Sequence, residues 1–355
     1  MYALIRKKIE GWMKEREIGL LPHALLYVLS ILYGAGIGLK MRLYSSGFLD
    51  RKELPCKVIS IGNITSGGTG KTPFAVWLAG YLKKRNTRVV ILSRGYKGSA
   101  KGVAVVSDGQ KILLGPQEAG DEPYLMAKRL KDVPVIVGAN RYDSGVFAVE
   151  NFNPDCIILD DGFQHMRLKR DLDIVLIDAV EGFGNGFLLP RGVLREPVYG
   201  LKRAGLVMVK GGILGPEERR ALGPVPAIEF SYKPSVVVDL RGNIEREASY
   251  LKSKRVVALS GIAKPESFLK TLEALGAVIV KSLNYPDHYS YTAEDVEAMK
   301  KELAGAELIV ATEKDGVKLK TLIQTLPVYA LQIDVEVTGR ERVDRALKPF
   351  VKGAG

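Results

Sequence analysis

The chain has 355 residues, of which 46% are hydrophobic and 26% charged, and its formal net charge is +12. This composition excludes a disordered chain, and the length predicts about two domains with sizeable hydrophobic cores. The positive charge predicts an acidic partner, either an anionic membrane surface or a phosphorylated substrate. No segment has the pattern of a DNA- or RNA-binding module, so we expect no nucleic-acid partner.

The cysteines and histidines exclude two further kinds of protein. Cys56 and Cys156 lie in apolar, strand-like runs, which predicts buried thiols in a reducing compartment rather than a disulfide framework. His23, His165 and His288 are too far apart along the chain to suggest a zinc site.

The first 48 residues differ in character from the rest. Residues 1–17 are rich in Lys and Arg, and residues 18–39 are mostly apolar and contain no charged side chain. This length suffices for a membrane span, but the basic flank, Pro22 and several glycines favour a helix lying in the interface of an anionic membrane. A buried pair of core helices is the alternative. No small-residue cleavage site follows, so we expect no secretory signal.

A glycine-rich turn follows the apolar run at residues 58–61 and precedes a helix-like segment. This layout is typical of a phosphate-binding loop, whose glycines let backbone N–H groups face the phosphates. Lys71 is then expected to reach the β- and γ-phosphates, and Thr72 to ligate Mg²⁺. An incidental turn is the alternative, and Thr65 stands where the general motif has glycine. The predicted nucleotide-binding residues are Thr65, Ser66, Gly67, Gly68, Thr69, Gly70, Lys71 and Thr72.

Beyond this loop, apolar runs alternate with helix-like segments. The alternation predicts an α/β fold of the P-loop NTPase kind, with a mostly parallel sheet covered by helices on both faces. Ligands are then expected at the carboxyl ends of the strands. The predicted strands are 58–61, 89–92, 133–137, 156–159, 174–177 and 206–209, and the predicted helices are 74–84, 118–130 and 142–150.

The chain changes again after residue 210. Residues 211–249 are rich in Pro, Gly and charge, which predicts a connector. We therefore expect a P-loop core domain at 49–210 and a smaller C-terminal α/β domain at 250–355 that contributes to the cleft. The predicted strands of the second domain are 256–259, 278–280 and 308–311, and its predicted helices are 266–275 and 293–303.

Two carboxylates end one of the apolar runs, since Asp160 and Asp161 follow Leu159. This is the Walker B arrangement, in which an aspartate holds Mg²⁺ beside the loop threonine. The alternative is a strand end whose acids are simply solvated. Asp178 ends another run, and we interpret it as structural.

Other polar positions are compatible with either a catalytic or a structural role. Asp121 opens a predicted helix and can be a helix cap or a catalytic acid. Arg195 and Glu196 lie in a loop and can bind a phosphoryl group or anchor the loop by ion pairs. His288 follows a strand and can serve as a general base. Residues 312–315, Thr-Glu-Lys-Asp, lack the asparagine of a guanine-reading motif, so we interpret the base as adenine.

Together these segments resemble the tetraacyldisaccharide 4'-kinase family, which acts on a lipid A precursor in Gram-negative bacteria. The resemblance covers almost the whole chain and is most specific in Asp-Asp-Gly-Phe-Gln-His, at residues 160–165. Thr65 is usual at its position in this family. The matching segments are 62–73, 93–96, 120–123, 160–165, 189–197, 285–288 and 312–315.

The resemblance implies ATP-dependent transfer of the γ-phosphate to the 4'-hydroxyl of a tetraacylated glucosamine disaccharide 1-phosphate. It implies ATP and Mg²⁺ as cofactors and this glycolipid as substrate, and no obligatory protein partner is evident. It places the protein at the cytoplasmic face of the bacterial inner membrane. The positive charge then has the anionic membrane surface and the substrate's 1-phosphate as targets.

Residue roles also follow from the resemblance. Asp121 and His288 are implied to activate the acceptor hydroxyl, with the carboxylate orienting an imidazole that takes the proton. Arg195 is implied to lie near the γ-phosphate. The implied catalytic residues are Asp121, His288, Lys71 and Arg195, and the implied metal ligands are Thr72, Asp160, Asp161 and Glu196.

Two other classes of protein share part of this pattern. The first is a membrane-associated P-loop switch ATPase of the partitioning type, but Ser66 stands where that class has a signature lysine. The second is a membrane-anchored nucleotide-binding scaffold without catalysis. Phosphate transfer from ATP to the lipid disaccharide separates the kinase from both.

Overall fold

Thirteen strands form one continuous sheet in the part of the chain that the computed structural model describes, namely Gly11, residues 19–323 and residues 325–353. Apart from Gly11, the basic start at residues 1–17 lies outside this part. The strands are β1 (Lys57–Gly62), β2 (Val89–Ser93), β3 (Ala104–Ser107), β4 (Val135–Val137), β5 (Cys156–Leu159), β6 (Leu172–Asp178), β7 (Leu206–Lys210), β8 (Ala227–Asp239), β9 (Ile244–Glu247), β10 (Arg255–Ser260), β11 (Val278–Asn284), β12 (Leu308–Thr312) and β13 (Val328–Val337). The α-helices are α1 (Leu20–Ser45), α2 (Lys71–Lys83), α3 (Pro116–Ala119), α4 (Asp121–Arg129), α5 (Arg141–Phe152), α6 (Pro216–Leu222), α7 (Pro265–Ala274), α8 (Ala293–Glu302), α9 (Glu313–Leu319) and α10 (Arg340–Leu347).

The sheet is mostly parallel, in the order β11-β10-β12-β13-β8-β7-β6-β1-β5-β2-β4-β3, with β9 paired to β8. Side chains of β1 alternate between two cores, because successive residues of a strand face opposite sides. Ile59 and Ile61 pack in the core that contains Phe74 of α2, and Val58 packs in the core that contains Ala148 of α5. The predicted α/β class, with helices covering both faces, is confirmed.

Strand β8 joins the two halves of the sheet. Its first residues pair in parallel with β7, and the rest pair antiparallel with β13. β8 and β9 lie within residues 211–249, the segment predicted to be a connector, so this segment contains part of the sheet itself. The division into domains at 49–210 and 250–355 remains a prediction.

The predicted helix at 118–130 is wrong in one respect, because the structure divides it into α3 and α4 at Gly120. Gly120 has a φ of 87°, and a Cβ there would lie 2.6 Å from the carbonyl oxygen of Tyr96. Only glycine accommodates both the left-handed backbone and this close approach. Asp121 is consequently the first residue of α4, and Gly120 holds the cap position.

Helix α1 is one continuous helix of 26 residues, not a pair of buried core helices. By length and composition, Pro22–Ser45 is the one candidate membrane span among the residues that the structure describes. One apolar face of the helix has no protein covering it. The exposed side chains of this face include Leu25, Val28, Leu29, Leu32 and Leu39.

The opposite face of α1 contacts loops of the P-loop half. Ser30 Oγ donates to the carbonyl oxygen of Leu188 at 2.9 Å, and Tyr33 Oη donates to that of Arg195 at 2.7 Å. Lys40 Nζ lies 3.2 Å from the carbonyl oxygen of Gln164. The helix is therefore hydrogen-bonded to the backbone of two motifs that the sequence singled out.

Both cysteines are free thiols. Cys156 is buried in β5, as predicted. Cys56 is only half-buried and precedes β1 rather than lying in a strand, because pairing of that strand begins at Lys57. Burial raises the pKa of the Cys56 thiol to about 11, so it is protonated and unreactive at neutral pH.

A buried carboxylate, Asp315, organises the cleft side of the second half. It accepts hydrogen bonds from the Gly261 backbone N–H at 2.7 Å, the Thr312 hydroxyl at 2.6 Å and the Tyr291 hydroxyl at 3.0 Å. Because Asp315 is fully buried, these donors have no water to replace it. It thus fixes the loop after β10 against the start of α9.

We expect Asp315→Ala to lower the free energy of unfolding by about 3 kcal/mol or more, because several buried donors lose one acceptor. Denaturant unfolding measures this loss. Tyr291→Phe removes a single donor and should cost about 1 kcal/mol. Equal losses in the two variants would contradict the role of Asp315 as shared acceptor.

Candidate active site

The predicted site residues of the P-loop half gather at the carboxyl ends of β1, β5 and β2, three neighbouring parallel strands. The phosphate-binding loop follows β1, and Asp160 and Asp161 follow β5. Ser93 ends β2. Ligands of open α/β sheets bind at this edge, so the topology brings the loop and the acid pair to the expected place.

The loop ends at Gly70, and α2 begins at Lys71. Gly70 has a φ of 84°, and a Cβ there would lie 1.7 Å from the hydroxyl oxygen of Tyr232. That hydroxyl donates to the Gly70 carbonyl oxygen at 2.7 Å, which fixes the loop against β8. The N-terminus of α2 therefore faces the loop with its unpaired backbone donors, as anion binding requires.

Lys71 and its neighbours form a cradle with unused donors. Lys71 Nζ donates to Asn63 Oδ1 at 3.2 Å and lies 3.4 Å from Asp161 Oδ1. Within the described ranges, the buried Asn63 amide nitrogen and the buried Thr69 hydroxyl have no hydrogen-bond partner. Buried polar groups are normally paired, so these donors fit an anionic ligand such as a nucleotide phosphate. Thr72 is buried beside them in α2.

Asp160 is a buried carboxylate with one unused oxygen. Its Oδ2 accepts from Ser93 Oγ at 3.0 Å, and its Oδ1 has no partner among the residues that the structure describes. Burial, reinforced by the negative charges of Glu122 and Asp161, raises the pKa of Asp160 to about 7. A hard cation at Oδ1 would supply the missing partner and offset the burial.

The available carboxylate ligands fit Mg²⁺ better than they fit a metal ion held by protein side chains alone. No group of three or more His, Cys, Asp or Glu side chains in the described ranges is arranged to hold a metal. Mg²⁺ needs no such group, because it usually binds one or two carboxylates together with waters and substrate phosphates. The unused oxygen of Asp160 provides one such carboxylate.

Asp161 lies between two cations. Arg195 Nη1 is 2.9 Å from each of its carboxylate oxygens, and Lys71 is the second cation. Burial alone would raise the pKa of Asp161, but Lys71 and Arg195 hold it below its usual value. Asp161 is therefore ionised at neutral pH, and it keeps both cations beside the loop.

Glu196, like Asp161, has a protein partner on each carboxylate oxygen. Its Oε1 accepts from Gln164 Nε2 at 3.1 Å, and its Oε2 accepts from Arg203 Nη2 at 2.7 Å. The same Gln164 nitrogen donates to the carbonyl oxygen of Asn63 at 2.9 Å. Because each oxygen of Glu196 has a protein partner, this geometry favours a role in holding the loop, and metal ligation by Glu196 stays a prediction.

Asp121 and His288 meet across the cleft, although 167 residues separate them in the sequence. His288 Nδ1 lies 3.3 Å from Asp121 Oδ2, and both side chains are largely buried. Burial alone would raise the pKa of Asp121, but the hydrogen bond from His288 and the charge of Lys318 hold it below its usual value. Asp121 is thus an ionised acceptor, able to orient the imidazole.

The two clusters belong to one cleft. Glu122 follows Asp121 in α4, and its charge acts on Asp160 at the end of β5. Glu122 Oε1 also lies 3.4 Å from Lys314 Nζ, on the second half. No separate role was predicted for Asn63, Gln164 or Lys314. Gln164 and Lys314 make their contacts far along the chain, whereas Asn63 contacts Lys71, eight residues away. Their positions inside the matching segments were the only signal.

Comparison with known proteins agrees with this geometry. Residues 22–352 match the family described as Tetraacyldisaccharide-1-P 4'-kinase. The chain is 42% identical to the tetraacyldisaccharide 4'-kinase of Syntrophus aciditrophicus, over 93% of this chain and 94% of the relative. It is 44% identical to that of Anaeromyxobacter dehalogenans, over 87% and 85% of the two chains.

A solved structure gives the same result. The fold matches LpxK from Aquifex aeolicus, which was crystallised in complex with ATP, with a TM-score of 0.77 and 35% identity. The match covers 93% of this chain and 99% of that one. The chain therefore belongs to the tetraacyldisaccharide-1-P 4'-kinase family.

Proposed function

We infer that this protein transfers the γ-phosphate of ATP to the 4'-hydroxyl of a tetraacylated glucosamine disaccharide 1-phosphate, a late step of lipid A biosynthesis. The observation that carries this inference is the Asp121–His288 pair, 3.3 Å apart, in the cleft that also holds the phosphate-binding loop. A switch ATPase of the partitioning type is not favoured, since the family match spans residues 22–352.

On the donor side, residues 65–72 are proposed to hold the ATP phosphates. Lys71 and Arg195 each contact Asp161. Both cations can stabilise the negative charge that develops as the bond to the leaving ADP oxygen breaks. Asn63 and Thr69 supply the unused donors described above. The adenine base is a further expectation from residues 312–315.

Mg²⁺ is proposed to bind beside the phosphates through Thr72, Asp160 and Asp161. When bound, the ion neutralises charge on the β- and γ-phosphate oxygens. Asp160 offers its unused Oδ1, whereas Asp161 already pairs with Arg195 and Lys71. Asp160 is therefore the better candidate for direct ligation.

On the acceptor side, His288 is proposed as the general base. Its Nδ1–H donates to the ionised Asp121, which leaves the Nε2 lone pair to take the proton of the sugar hydroxyl. The oxygen then attacks the γ-phosphorus, and the bond to the ADP oxygen breaks. Asp121 stabilises the imidazolium that forms, so Asp121 and His288 act as a unit.

Helix α1 is proposed to seat the enzyme on the cytoplasmic face of the inner membrane, where its substrate resides. Its exposed face carries the five apolar side chains named above, and its other face bonds to the loops around Gln164 and Arg195. An apolar helix with uncovered side chains can bury them in the membrane, and neighbouring basic residues such as Lys40 and Arg42 can bind anionic lipid head groups. We propose no obligatory protein partner.

The two predicted domains, at 49–210 and 250–355, are proposed to supply the donor site and the base respectively. Lys71 and Asp160 lie in the first, and His288 lies in the second. Contacts between Arg129 of α4 and Glu313 of α9, 3.0 Å apart and largely buried, hold the two together beside the cleft.

Lys71→Ala should reduce transfer of radiolabelled γ-phosphate to the disaccharide 1-phosphate by at least about 100-fold, because the loop loses its charge on the phosphates. The matched control is Lys84→Ala, an exposed lysine at the end of the same helix, which should leave the rate unchanged. Transfer at the wild-type rate by Lys71→Ala would overturn the donor site.

His288→Ala should lower kcat by between about 100-fold and 10,000-fold while the Kd for ATP changes little, since a general base acts on the acceptor and not on the nucleotide. Fixed-time phosphate-transfer assays give kcat, and nucleotide titration gives the Kd for ATP. A comparable loss of ATP binding would mean that His288 is structural.

The triple variant Leu25→Ser, Leu32→Ser, Leu39→Ser should move the protein from the membrane to the soluble fraction, because its apolar contact area is lost. Flotation with anionic vesicles measures the same binding. The control is the triple variant Ile112→Ser, Ile244→Ser, Val278→Ser, which changes three exposed apolar residues outside α1. This variant should float like the wild type. Unchanged flotation of the α1 variant would exclude the helix as the anchor.

A further inference from the structure

Lys314 lies directly against the proposed general base. Its Nζ is 3.1 Å from His288 Nε2, the ring nitrogen on the side away from Asp121. The lysine comes from α9, and its side chain is largely buried. It also reaches Asp287 Oδ1 at 3.0 Å and Glu122 Oε1 at 3.4 Å.

The chemistry of these partners leaves one arrangement of protons on the ring. An ammonium group has three donors and no acceptor, so Nε2 must present a lone pair to Lys314. An ionised carboxylate only accepts, so Nδ1 must carry the hydrogen that faces Asp121. The neutral ring with its hydrogen on Nδ1 satisfies both contacts at once. The doubly protonated ring does not, because its Nε2–H would face the ammonium.

We propose that Lys314 is a positioning residue that holds His288 in the neutral, Nδ1–H tautomer required of a general base until the acceptor hydroxyl displaces it. The catalytic consequence rests on the proposed role of His288. The hydroxyl and Lys314 need the same lone pair, so the lysine must release Nε2 before proton transfer. Asp287 and Glu122 retain the ammonium when it does so.

The surroundings of the ring determine the sign of the expected effect. Lys314 disfavours the imidazolium, whereas the carboxylates beside it favour that charged form. Removing the ammonium leaves those carboxylates uncompensated, so the pKa of His288 should rise. The groups that face His288 or its direct partners are Asp121 and Glu122 of α4, Tyr96 of the loop after β2, Asp287 of its own loop, and Lys314 and Lys318 of α9.

Three substitutions at Lys314 separate the effect of its positive charge from the effect of its hydrogen-bond donor. Lys314→Met removes both, Lys314→Gln keeps a donor without the charge, and Lys314→Arg keeps both. The matched control is Lys300→Met, which removes an exposed lysine paired to Glu297 in the same half of the chain. Histidine ring ¹⁵N NMR of the full chain gives the tautomer and pKa of His288 directly, without any substrate.

In Lys314→Met, the pKa of His288 should rise by about one unit or more, and the Nε2–H tautomer should appear. The acid limb of kcat/KM should move to higher pH by the same amount, while kcat on the alkaline side stays within a few fold of the wild type. Lys314→Gln should raise the pKa but keep the tautomer, and Lys314→Arg should restore both. Lys300→Met should match the wild type.

Two outcomes would overturn the proposal. The first is an unchanged tautomer and pKa in Lys314→Met and Lys314→Gln. The second is an equal loss of kcat at every pH, which would place Lys314 on the substrate or the transferred phosphate instead. If Lys314→Met fails to fold, Lys314→Gln decides by the same NMR readout. If the wild type shows the tautomer but phosphorylates no glycolipid, the proposed function fails and the positioning role stands.

Discussion

The active site depends on strand β8, because this strand makes two half-sheets into one. It pairs with β7 at its start and with β13 along the rest, so the P-loop half continues without a break into the half that carries His288. Hydrogen-bonded strands keep fixed spacing, whereas a flexible linker lets two units drift. Asp121 and His288 can therefore meet at 3.3 Å. Tyr232 of the same strand also holds the phosphate loop, through Gly70.

Two neighbouring aspartates show how the surroundings divide the chemistry of the site. Asp160 is buried against other carboxylates, so its pKa is raised and one oxygen stays unused. Asp161 lies between Lys71 and Arg195, so its pKa is lowered and its charge is already balanced. The surroundings thus give identical neighbouring side chains different properties. Asp160 has an unused oxygen that can bind a cation, and Asp161 positions Lys71 and Arg195.

The sequence predicted what is local and missed what depends on distant contacts. Continuous apolar runs predicted the parallel strands, because strands covered on both faces need them. β8 was missed because the strands were predicted from continuous apolar runs, whereas exposed and buried residues alternate along its first half and Pro234 lies within it. That alternation is itself the pattern of a strand with one exposed face. The break at Gly120 depends on the carbonyl of Tyr96, and the position of Lys314 depends on His288. No pattern within one segment contains either contact.

The hydrogen bond from Tyr33 of α1 to the backbone of Arg195 has a consequence for how the enzyme meets its substrate. The helix that carries the exposed apolar face is tied to the residue proposed to lie at the γ-phosphate, so the proposed membrane binding through α1 would let the protein itself set the height of the site above the lipid surface. With α1 in the membrane as proposed, acceptor molecules would arrive by lateral diffusion within a leaflet. The quantity that governs saturation would then be the number of glycolipids per unit area, and diluting them with other lipids would slow the enzyme even at constant bulk concentration.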